Sequence, residues 1–253
     1  MNDIRLLSLV VPTYRQPKTI RKNISHLRSA LNELHINYEI IVVVDGKEDK
    51  TYENAARMRS LRVRVLGLDT NQGKGFAVKY GMMKARGDVI GFIDAGMEID
   101  PAGIEMLLNH MRWYEADVIV GSKLHPVSQV YYPLWRKILS WGYRNLTRLL
   151  FGFKVRDTQV GIKFFKRRVV LDVFPTLLVK RFAFDVEVLA ASISLGYKKI
   201  YEAPIKLNFK QANSSITMKK FWRTIFYMLL DTAAVFYRVR ILNYYVREQK
   251  KRK

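Results

Sequence analysis

The stretch Asp88-Val-Ile-Gly-Phe-Ile-Asp-Ala-Gly-Met-Glu-Ile-Asp-Pro101 decides the fold. Its apolar run from Val89 to Ile93 is short and unbroken, which is typical of a strand buried inside a parallel sheet. Asp94 ends this strand, and Pro101 opens a helix with apolar residues on one face. Ligands of open α/β sheets bind beyond the carboxyl ends of the strands, where acidic side chains can hold a divalent cation. On this stretch alone, a solvated acidic loop that caps the next helix is an equally good interpretation.

Four further apolar runs alternate with helical patterns in the first half of the chain. These runs predict strands at residues 6–12, 39–45, 63–68 and 117–121. Between the first two, residues 20–34 carry apolar side chains at intervals of three and four, which predicts a helix. Strands that alternate with helices of this length predict βαβ units, and therefore an α/β fold with a mostly parallel sheet flanked by helices.

Length and composition limit the organisation of the chain. With 253 residues, it is long enough for one good core, and we predict a catalytic domain over 1–210 and an amphipathic helix with a polybasic tail over 211–253. The absence of cysteine excludes disulfides, thiolate metal sites and a cysteine nucleophile. Neither a signal-peptide pattern nor an uncharged apolar run of roughly 18 residues is found, so we expect a cytoplasmic location.

The net charge of +22 is concentrated in the second half of the chain. Residues 1–122 carry 17 basic against 15 acidic side chains, whereas residues 123–181 carry 13 against 2 and residues 206–253 carry 12 against 2. A neutral front half followed by a basic back half suggests that one part binds a small ligand and the other meets an anionic surface.

Aromatic and basic side chains are interleaved in two stretches of the basic half, residues 131–150 and 219–240. Both have apolar residues at helical spacing, which predicts amphipathic helices at the surface of an anionic membrane. The same combination also occurs in proteins that bind nucleic acid. We expect no nucleic-acid partner, because the basic excess avoids the ligand-like motifs. The end of the chain, residues 247–253, is either a polybasic anchor or a solvated tail.

The glycine-containing stretch Asn71-Gln-Gly-Lys-Gly75 precedes a predicted helix. It lacks the spacing of a P-loop and that of a dinucleotide-binding turn. Taken alone, it predicts a loop that needs the conformational freedom of glycine.

Several short motifs, in order and spacing, resemble those of family 2 glycosyltransferases. They are Val10-Val-Pro-Thr-Tyr14, Val43-Val-Asp-Gly46, Asn71-Gln-Gly-Lys-Gly75, Asp94-Ala95 and Gly121-Ser-Lys123. Three later motifs resemble the polyprenyl-phosphate sugar transferases, particularly the dolichyl-phosphate glucose and mannose synthases. These are Asp157-Thr-Gln-Val-Gly-Ile-Lys163, Phe182-Ala-Phe-Asp-Val-Glu187 and Glu202-Ala-Pro204.

The resemblance covers roughly residues 6–240 and implies both a fold and an activity. The implied fold is GT-A, a Rossmann-like sheet, here followed by C-terminal amphipathic helices at the membrane surface. The implied activity is a metal-dependent, inverting transfer of glucose or mannose from a nucleotide-diphosphosugar to a membrane polyprenyl (dolichyl) phosphate. Such an enzyme would be peripheral on the cytoplasmic face of the membrane. The motif that begins at Asp157 is closer to the glucose type, which favours UDP-glucose over GDP-mannose.

The resemblance also implies roles for individual residues. Those implied for the donor nucleotide are Pro12, Thr13, Tyr14, Asp45, Lys74 and Asp94. Those implied for the acceptor phosphate are Lys123, Arg136, Ser140 and Lys210. Asp94 and Glu98 would hold Mg²⁺ or Mn²⁺, and Asp94, Asp157 and Asp185 are the catalytic candidates.

Four positions leave alternatives open. Gly96 stands where the family has the second carboxylate of its D-x-D motif, and Val44 stands where it usually has the first of two aspartates. The alternative function is therefore a non-catalytic GT-A relative that acts as a basic scaffold on membranes. Asp185 and Glu187 would face the same side on a strand but not on a helix, where Asp185 would instead cap the first turn.

Overall fold

The computed structural model describes residues 4–123, 134–206 and 218–252, without the side chains of 134–139 and 218–221. Within these residues, seven strands form one sheet in the order β3-β2-β1-β4-β6-β5-β7. The strands are β1 (Leu7–Thr13), β2 (Tyr38–Asp45), β3 (Val63–Leu68), β4 (Val89–Ile93), β5 (Val118–Ser122), β6 (Ile162–Lys166) and β7 (Ile200–Pro204).

Helices connect and follow these strands. They are α1 (Ile20–Glu33), α2 (Thr51–Ala56), α3 (Lys74–Met82), α4 (Ile104–Trp113), α5 (Leu134–Phe151), α6 (Arg167–Val173), α7 (Phe184–Ser194), α8 (Met218–Phe236) and α9 (Tyr244–Arg252). A 3₁₀ turn, Pro101–Gly103, leads into α4, and another, Phe174–Thr176, follows α6. A π-helical segment, Tyr237–Ile241, follows α8.

The sheet is mostly parallel, as predicted. Among its strands only β6 runs antiparallel to its neighbours, between β4 and β5. All five predicted strands are present within a residue or two of their expected bounds. The apolar runs of β1, β2, β4 and β5 are buried on both faces, and β3 is partly buried. The sequence prediction did not include β6 and β7.

The parallel strands bring their carboxyl ends to one edge of the sheet, here called the carboxyl edge. The antiparallel strand β6 begins at the same edge, because its Ile162 pairs with Ile93 at the end of β4. The segment that enters β6 therefore lies beside the residues that leave β4. The Asp157–Lys163 motif therefore lies next to Asp94 because β6 is reversed.

The C-terminal helices are anchored to the core by a buried carboxylate. Glu187 on α7 is fully buried and accepts hydrogen bonds from the Tyr245 hydroxyl (2.8 Å) and the Arg238 guanidinium (3.1 Å). It also accepts from the backbone N–H groups of Leu178 and Val179. Burial raises the pKa of Glu187, and these donors partly offset that effect. Residues 237–252 are thus packed on the catalytic core.

No helix within the described part of the chain is both long and apolar enough to cross a bilayer. The amphipathic stretches predicted from sequence form α5 and α8, which contact each other through the Tyr143 and Thr232 hydroxyls at 2.7 Å. The predicted division at residue 210 falls outside the described residues and stays a prediction.

We expect Tyr245→Phe to lower the free energy of unfolding by about 1–2 kcal/mol, because it removes a donor from a buried carboxylate. The matched control is Tyr244→Phe, because the hydroxyl of this neighbouring tyrosine has no hydrogen bond among the described residues. This variant should change the free energy of unfolding by less than about 0.5 kcal/mol. Urea titrations of both variants measure the difference. Equal losses would contradict the anchoring role of Glu187.

Candidate active site

Three of the predicted donor-binding residues follow strands at the carboxyl edge. Tyr14 comes directly after β1, Asp45 ends β2 and Asp94 comes directly after β4. These three strands are adjacent and parallel, so the structure places these side chains along one side of the sheet. Ligands of such sheets bind at this edge.

A row of alternating charges runs from the core to the surface at this edge. We call it the charge row, and it consists of Lys163, Asp185, Lys74 and Asp94. The Lys163 ammonium contacts one Asp185 oxygen, and the other lies 3.8 Å from the Lys74 ammonium. Lys74 in turn lies 2.8 and 3.0 Å from the two Asp94 oxygens. The exposed fractions of the side chains rise along the row from 0% and 5% to 21% and 45%, so Asp94 is the end that meets solvent.

Burial and pairing act in opposite directions on the two lysines. Burial lowers the pKa of Lys74, but the charges of Asp94 and Asp185 outweigh it, so the pKa lies above its ordinary value. Lys74 therefore remains an ammonium at any physiological pH. Burial dominates for Lys163 and lowers its pKa, although Asp185 opposes the shift.

Gly161 allows the segment before β6 to lie directly against Asp94. The Asp94 N–H donates to the Gly161 carbonyl at 2.9 Å. A Cβ atom at Gly161 would lie 2.1 Å from Oδ2 of Asp94, closer than two such atoms can approach. The glycine of the Asp157–Lys163 motif is therefore required by the position of the Asp94 carboxylate.

Asp45 supports the glycine-containing loop at residues 71–75. Its two carboxylate oxygens accept the backbone N–H groups of Gln72 and Gly73, at 2.7 and 2.9 Å. Gly73 has a φ of 100°, in the region that favours glycine, so the loop does need the freedom predicted for it. Lys74 follows as the first residue of α3.

The other candidates on β1 differ in their surroundings. Pro12 and Thr13 are buried within the strand, and the Thr13 hydroxyl donates to the Val11 carbonyl at 3.3 Å. Tyr14 is 40% exposed, and its hydroxyl lies 3.2 Å from the Glu48 carboxylate. Of these three side chains, Tyr14 is the most accessible to a ligand.

Asp157 contacts the residue that directly follows β5, at the carboxyl edge of the sheet. Its carboxylate accepts the Lys123 N–H at 3.2 Å. The Arg156 and Asp157 N–H groups both donate to the Glu202 carboxylate on β7, at 2.5 and 2.8 Å. The Glu202-Ala-Pro204 motif thus holds the turn that carries Asp157.

The predicted acceptor residues are only partly described. Ser140 is exposed on α5, and its carbonyl accepts from the Arg144 guanidinium at 3.1 Å. The backbone of Arg136 lies in α5, but its side chain and the whole of Lys210 lie outside the described residues.

The residues at the end of β4 fit a divalent cation that is completed by a ligand. No group of three or more His, Asp or Glu side chains that could hold a metal occurs within the described ranges. Asp94 is partly exposed and Glu98 is half-buried, and Mg²⁺ often takes only one or two protein carboxylates together with phosphates and waters. Gly96 is exposed, and a Cβ there would meet no atom within 4 Å, so a carboxylate at this position would find room.

Of the two alternatives left open for Asp185 and Glu187, the structure shows the helix and not the strand. Phe184–Ser194 forms α7, so Asp185 and Glu187 point to different partners, Asp185 to the charge row and Glu187 to the C-terminal anchor. The N-cap of α7 is Ala183, so Asp185 lies in the first turn and is not the cap residue.

Comparison with known proteins identifies the family. The profile of glycosyl transferase family 2 matches residues 8–174, which include β1 to β6 and most of the carboxyl edge. The chain belongs to glycosyltransferase family 2. The resemblance found in its motifs is confirmed, and with it the prediction of a glycosyltransferase.

Curated relatives of this glycosyltransferase include two dolichyl-phosphate beta-glucosyltransferases. The relative from Dictyostelium discoideum is 30% identical over 224 residues, which cover 83% of this chain and 68% of the relative. The relative from Homo sapiens is 31% identical over 255 residues, which cover 94% of this chain and 76% of the relative.

Solved structures with the same fold include glucosyl-3-phosphoglycerate synthase from Mycobacterium tuberculosis, in complex with Mn²⁺, UDP and phosphoglyceric acid. It superposes with a TM-score of 0.67 at 17% identity, over 90% of this chain and 78% of that one. The likeness confirms the predicted GT-A fold.

Sequence reasoning missed three contributors to this glycosyltransferase's candidate site. Lys163, Gly161 and Glu202 lie in motifs that carried the resemblance, but none of them was assigned a function. A lysine within the apolar run Ile162–Lys166 was the available signal for Lys163, since a lysine is almost never fully buried without a partner.

We expect Gly161→Ala to weaken binding of a nucleotide-diphosphosugar at least tenfold, because the new methyl group displaces the Asp94 carboxylate from Lys74. The free energy of unfolding should change much less than the free energy of binding, because the displaced atoms are at the partly exposed end of the charge row. Calorimetric titration with UDP-glucose measures the affinity. Gly142→Ala is the matched control, because its Cβ meets no atom within 4 Å. An unchanged affinity in Gly161→Ala would contradict the role of Asp94.

Proposed function

We propose that this chain transfers glucose from UDP-glucose to a membrane polyprenyl phosphate of the dolichyl type. The relatives named above support glucose as the sugar and dolichyl phosphate as the acceptor. Mannose from GDP-mannose is the variant that the same assay tests.

The observation that carries this proposal is the charge row at the carboxyl edge. It presents one ammonium and one carboxylate, Lys74 and Asp94, to the place where α/β sheets bind their ligands. A diphosphate needs a cation there, and a divalent ion that accompanies the diphosphate needs an anion. Both are present within 3 Å of each other.

When the donor binds, the ion pair between Lys74 and Asp94 would separate, and each side chain would take a new partner. Lys74 would donate hydrogen bonds to diphosphate oxygens, and Asp94, with Glu98, would hold Mg²⁺ or Mn²⁺ beside them. The cation would supply positive charge to the departing diphosphate. The mycobacterial synthase, which has the same fold, was solved with Mn²⁺ and UDP, and this supports a divalent ion as a cofactor of the proposed transfer.

The transfer would be a single displacement that inverts the sugar carbon. An oxygen of the acceptor phosphate attacks C1 of glucose, the bond from C1 to the diphosphate breaks, and its electron pair leaves with UDP. UDP-glucose carries an α-linked sugar, and the relatives are named as beta-transferases, which supports inversion. Because the acceptor is already an anion, it needs positioning more than a general base.

The remaining candidates would position the acceptor and the sugar. Lys123, Arg136, Ser140 and Lys210 would surround the acceptor phosphate. Asp157 lies beside Lys123 through the Lys123 N–H and would orient this side of the site. Asp185 would act through Lys74, because its carboxylate lies 3.8 Å from the Lys74 ammonium on the buried side of the charge row.

A lipid acceptor requires the protein to reach a membrane surface, and α5 and α8 offer one. Trp141 and Leu149 on α5 are 63% and 82% exposed, and Trp222 and Phe226 on α8 are 57% and 60% exposed. Exposed aromatic and aliphatic side chains in the most basic part of the chain are typical of helices that lie in an anionic bilayer interface. We place the chain on the cytoplasmic face.

Gly96 favours the second candidate, a scaffold that does not catalyse transfer. The family's second metal-binding carboxylate is missing here, and only the partial ligand set of Asp94 and Glu98 remains. Under this alternative the donor would bind weakly or not at all, and no sugar would reach the lipid.

The test is transfer of radiolabelled glucose from UDP-glucose to dolichyl phosphate in anionic vesicles, with Mn²⁺, with Mg²⁺ and with a chelator. We expect transfer that the chelator abolishes, and little transfer from GDP-mannose. Asp94→Asn should lower turnover by about a hundredfold or more, since it removes a carboxylate that would hold the divalent cation, and with the cation goes charge stabilisation of the departing diphosphate.

The matched control is Asp88→Asn, at the opposite end of the same strand, where the carboxylate accepts the Leu6 N–H. This variant should turn over at close to the wild-type rate. Absence of transfer from both nucleotide sugars would favour the scaffold, and equal loss in the two variants would contradict the role of Asp94.

A further inference from the structure

A second concave site lies between α5 and the segment that leads to Asp157. It has a volume of about 210 Å³, and its lining includes Trp141, Arg144, Arg148, Arg156 and Thr158. None of these residues belongs to the charge row or to the predicted donor and acceptor sets. We call it the arginine pocket.

Three arginines line this pocket, and no carboxylate among the described residues neutralises them. In the described ranges, none of Arg144, Arg148 and Arg156 forms an ion pair with an acidic side chain. Among the described residues, the Arg144 guanidinium donates only to the Ser140 carbonyl on its own helix. Like charges around one cavity repel each other, so the pocket creates a positive potential that favours an anion.

The pocket also contains an unsatisfied hydroxyl. Thr158 is 3% exposed, and its Oγ1 is buried without a hydrogen-bond partner. Buried hydroxyls in native proteins are almost always paired, so an orphaned one in the lining of a cavity indicates a missing partner. A ligand with several acceptor oxygens would satisfy both the hydroxyl and the guanidinium groups.

We propose that the arginine pocket binds a terminal phosphate group. Its oxygens match what the pocket offers, because guanidinium groups donate two parallel hydrogen bonds to a phosphate and a hydroxyl donates one more. The group is either the inorganic phosphate anion or the phosphate monoester headgroup of a membrane lipid. This inference does not rest on the proposed sugar transfer, because it concerns binding alone.

The position of the pocket couples it to the candidate active site. Thr158 directly follows Asp157, whose N–H is held by Glu202 and whose carboxylate accepts from Lys123. A phosphate bound in the pocket would therefore order the turn that carries Asp157.

Trp141 lines the pocket and reports on its occupancy. The experiment titrates full-length protein with inorganic phosphate at constant ionic strength and follows tryptophan emission. In a second arm, vesicles contain phosphatidic acid, or phosphatidylserine at the same surface charge. We expect a saturable change that Trp141→Phe abolishes.

Arg148→Gln and Arg156→Gln should each weaken binding about tenfold or more, and Thr158→Val should weaken it while leaving the protein folded. The matched control is Arg112→Gln. Arg112 lies on α4 outside the pocket lining, so the loss of its positive charge should leave the affinity unchanged. Thermal unfolding of each variant checks that the fold is intact.

The two arms separate the sources of the phosphate group. A response to inorganic phosphate that Arg148→Gln weakens supports a free anion, and a response to phosphatidic acid alone supports a lipid headgroup. No response in either arm would overturn the proposal. So would equal responses to both lipids, or equal losses in Arg148→Gln and Arg112→Gln, since these would show a diffuse basic surface.

Discussion

The ion pair between Lys74 and Asp94 is the interaction on which the candidate active site depends. Taking charges out of water is costly unless each meets a partner. The fold offsets this cost because positive and negative side chains alternate along the charge row. The fully buried Lys163 contacts Asp185, which also lies near Lys74. The row leaves its most exposed member, Asp94, at the edge where the donor would arrive. The Lys74 ammonium is thus held beside this carboxylate by the protein's own side chains.

The surrounding loops are built to keep this pair in place. Asp45 holds the turn before Lys74, and the N–H of Gly75 donates to the Lys180 carbonyl at 2.9 Å. The neighbouring N–H groups of Leu178 and Val179 donate to Glu187, the residue that anchors the C-terminal segment. A continuous set of hydrogen bonds therefore joins the last helix to the start of α3. Arg238, which lies in the π-helical segment directly after α8, also donates to Glu187, so the end of a helix proposed to meet the membrane is joined to the segment that contacts the start of α3.

The sequence predicted the first five strands well, because each is a short, mostly apolar run and all except the partly buried β3 are buried on both faces. It also predicted the edge at which Asp45 and Asp94 end their strands. It did not predict the charge row, since Lys163 and Asp185 are 22 residues apart and only the reversed strand β6 brings them together. The helix that begins at Phe184 was ambiguous for a related reason. Its residues are apolar on all sides because α7 is almost entirely buried, so the pattern carries no helical period.

The central claim is that Lys74 is the protein's cation for the donor diphosphate. Calorimetric binding of UDP and of uridine, at a fixed concentration of Mn²⁺, tests it most directly with wild-type protein and Lys74→Gln. The account predicts that the variant binds UDP about ten- to a hundredfold more weakly, because a hydrogen bond to a charged group contributes roughly 1.5–3 kcal/mol. Uridine, which has no diphosphate, should bind both proteins equally. Unchanged UDP affinity, or the same loss for uridine as for UDP, would contradict the account.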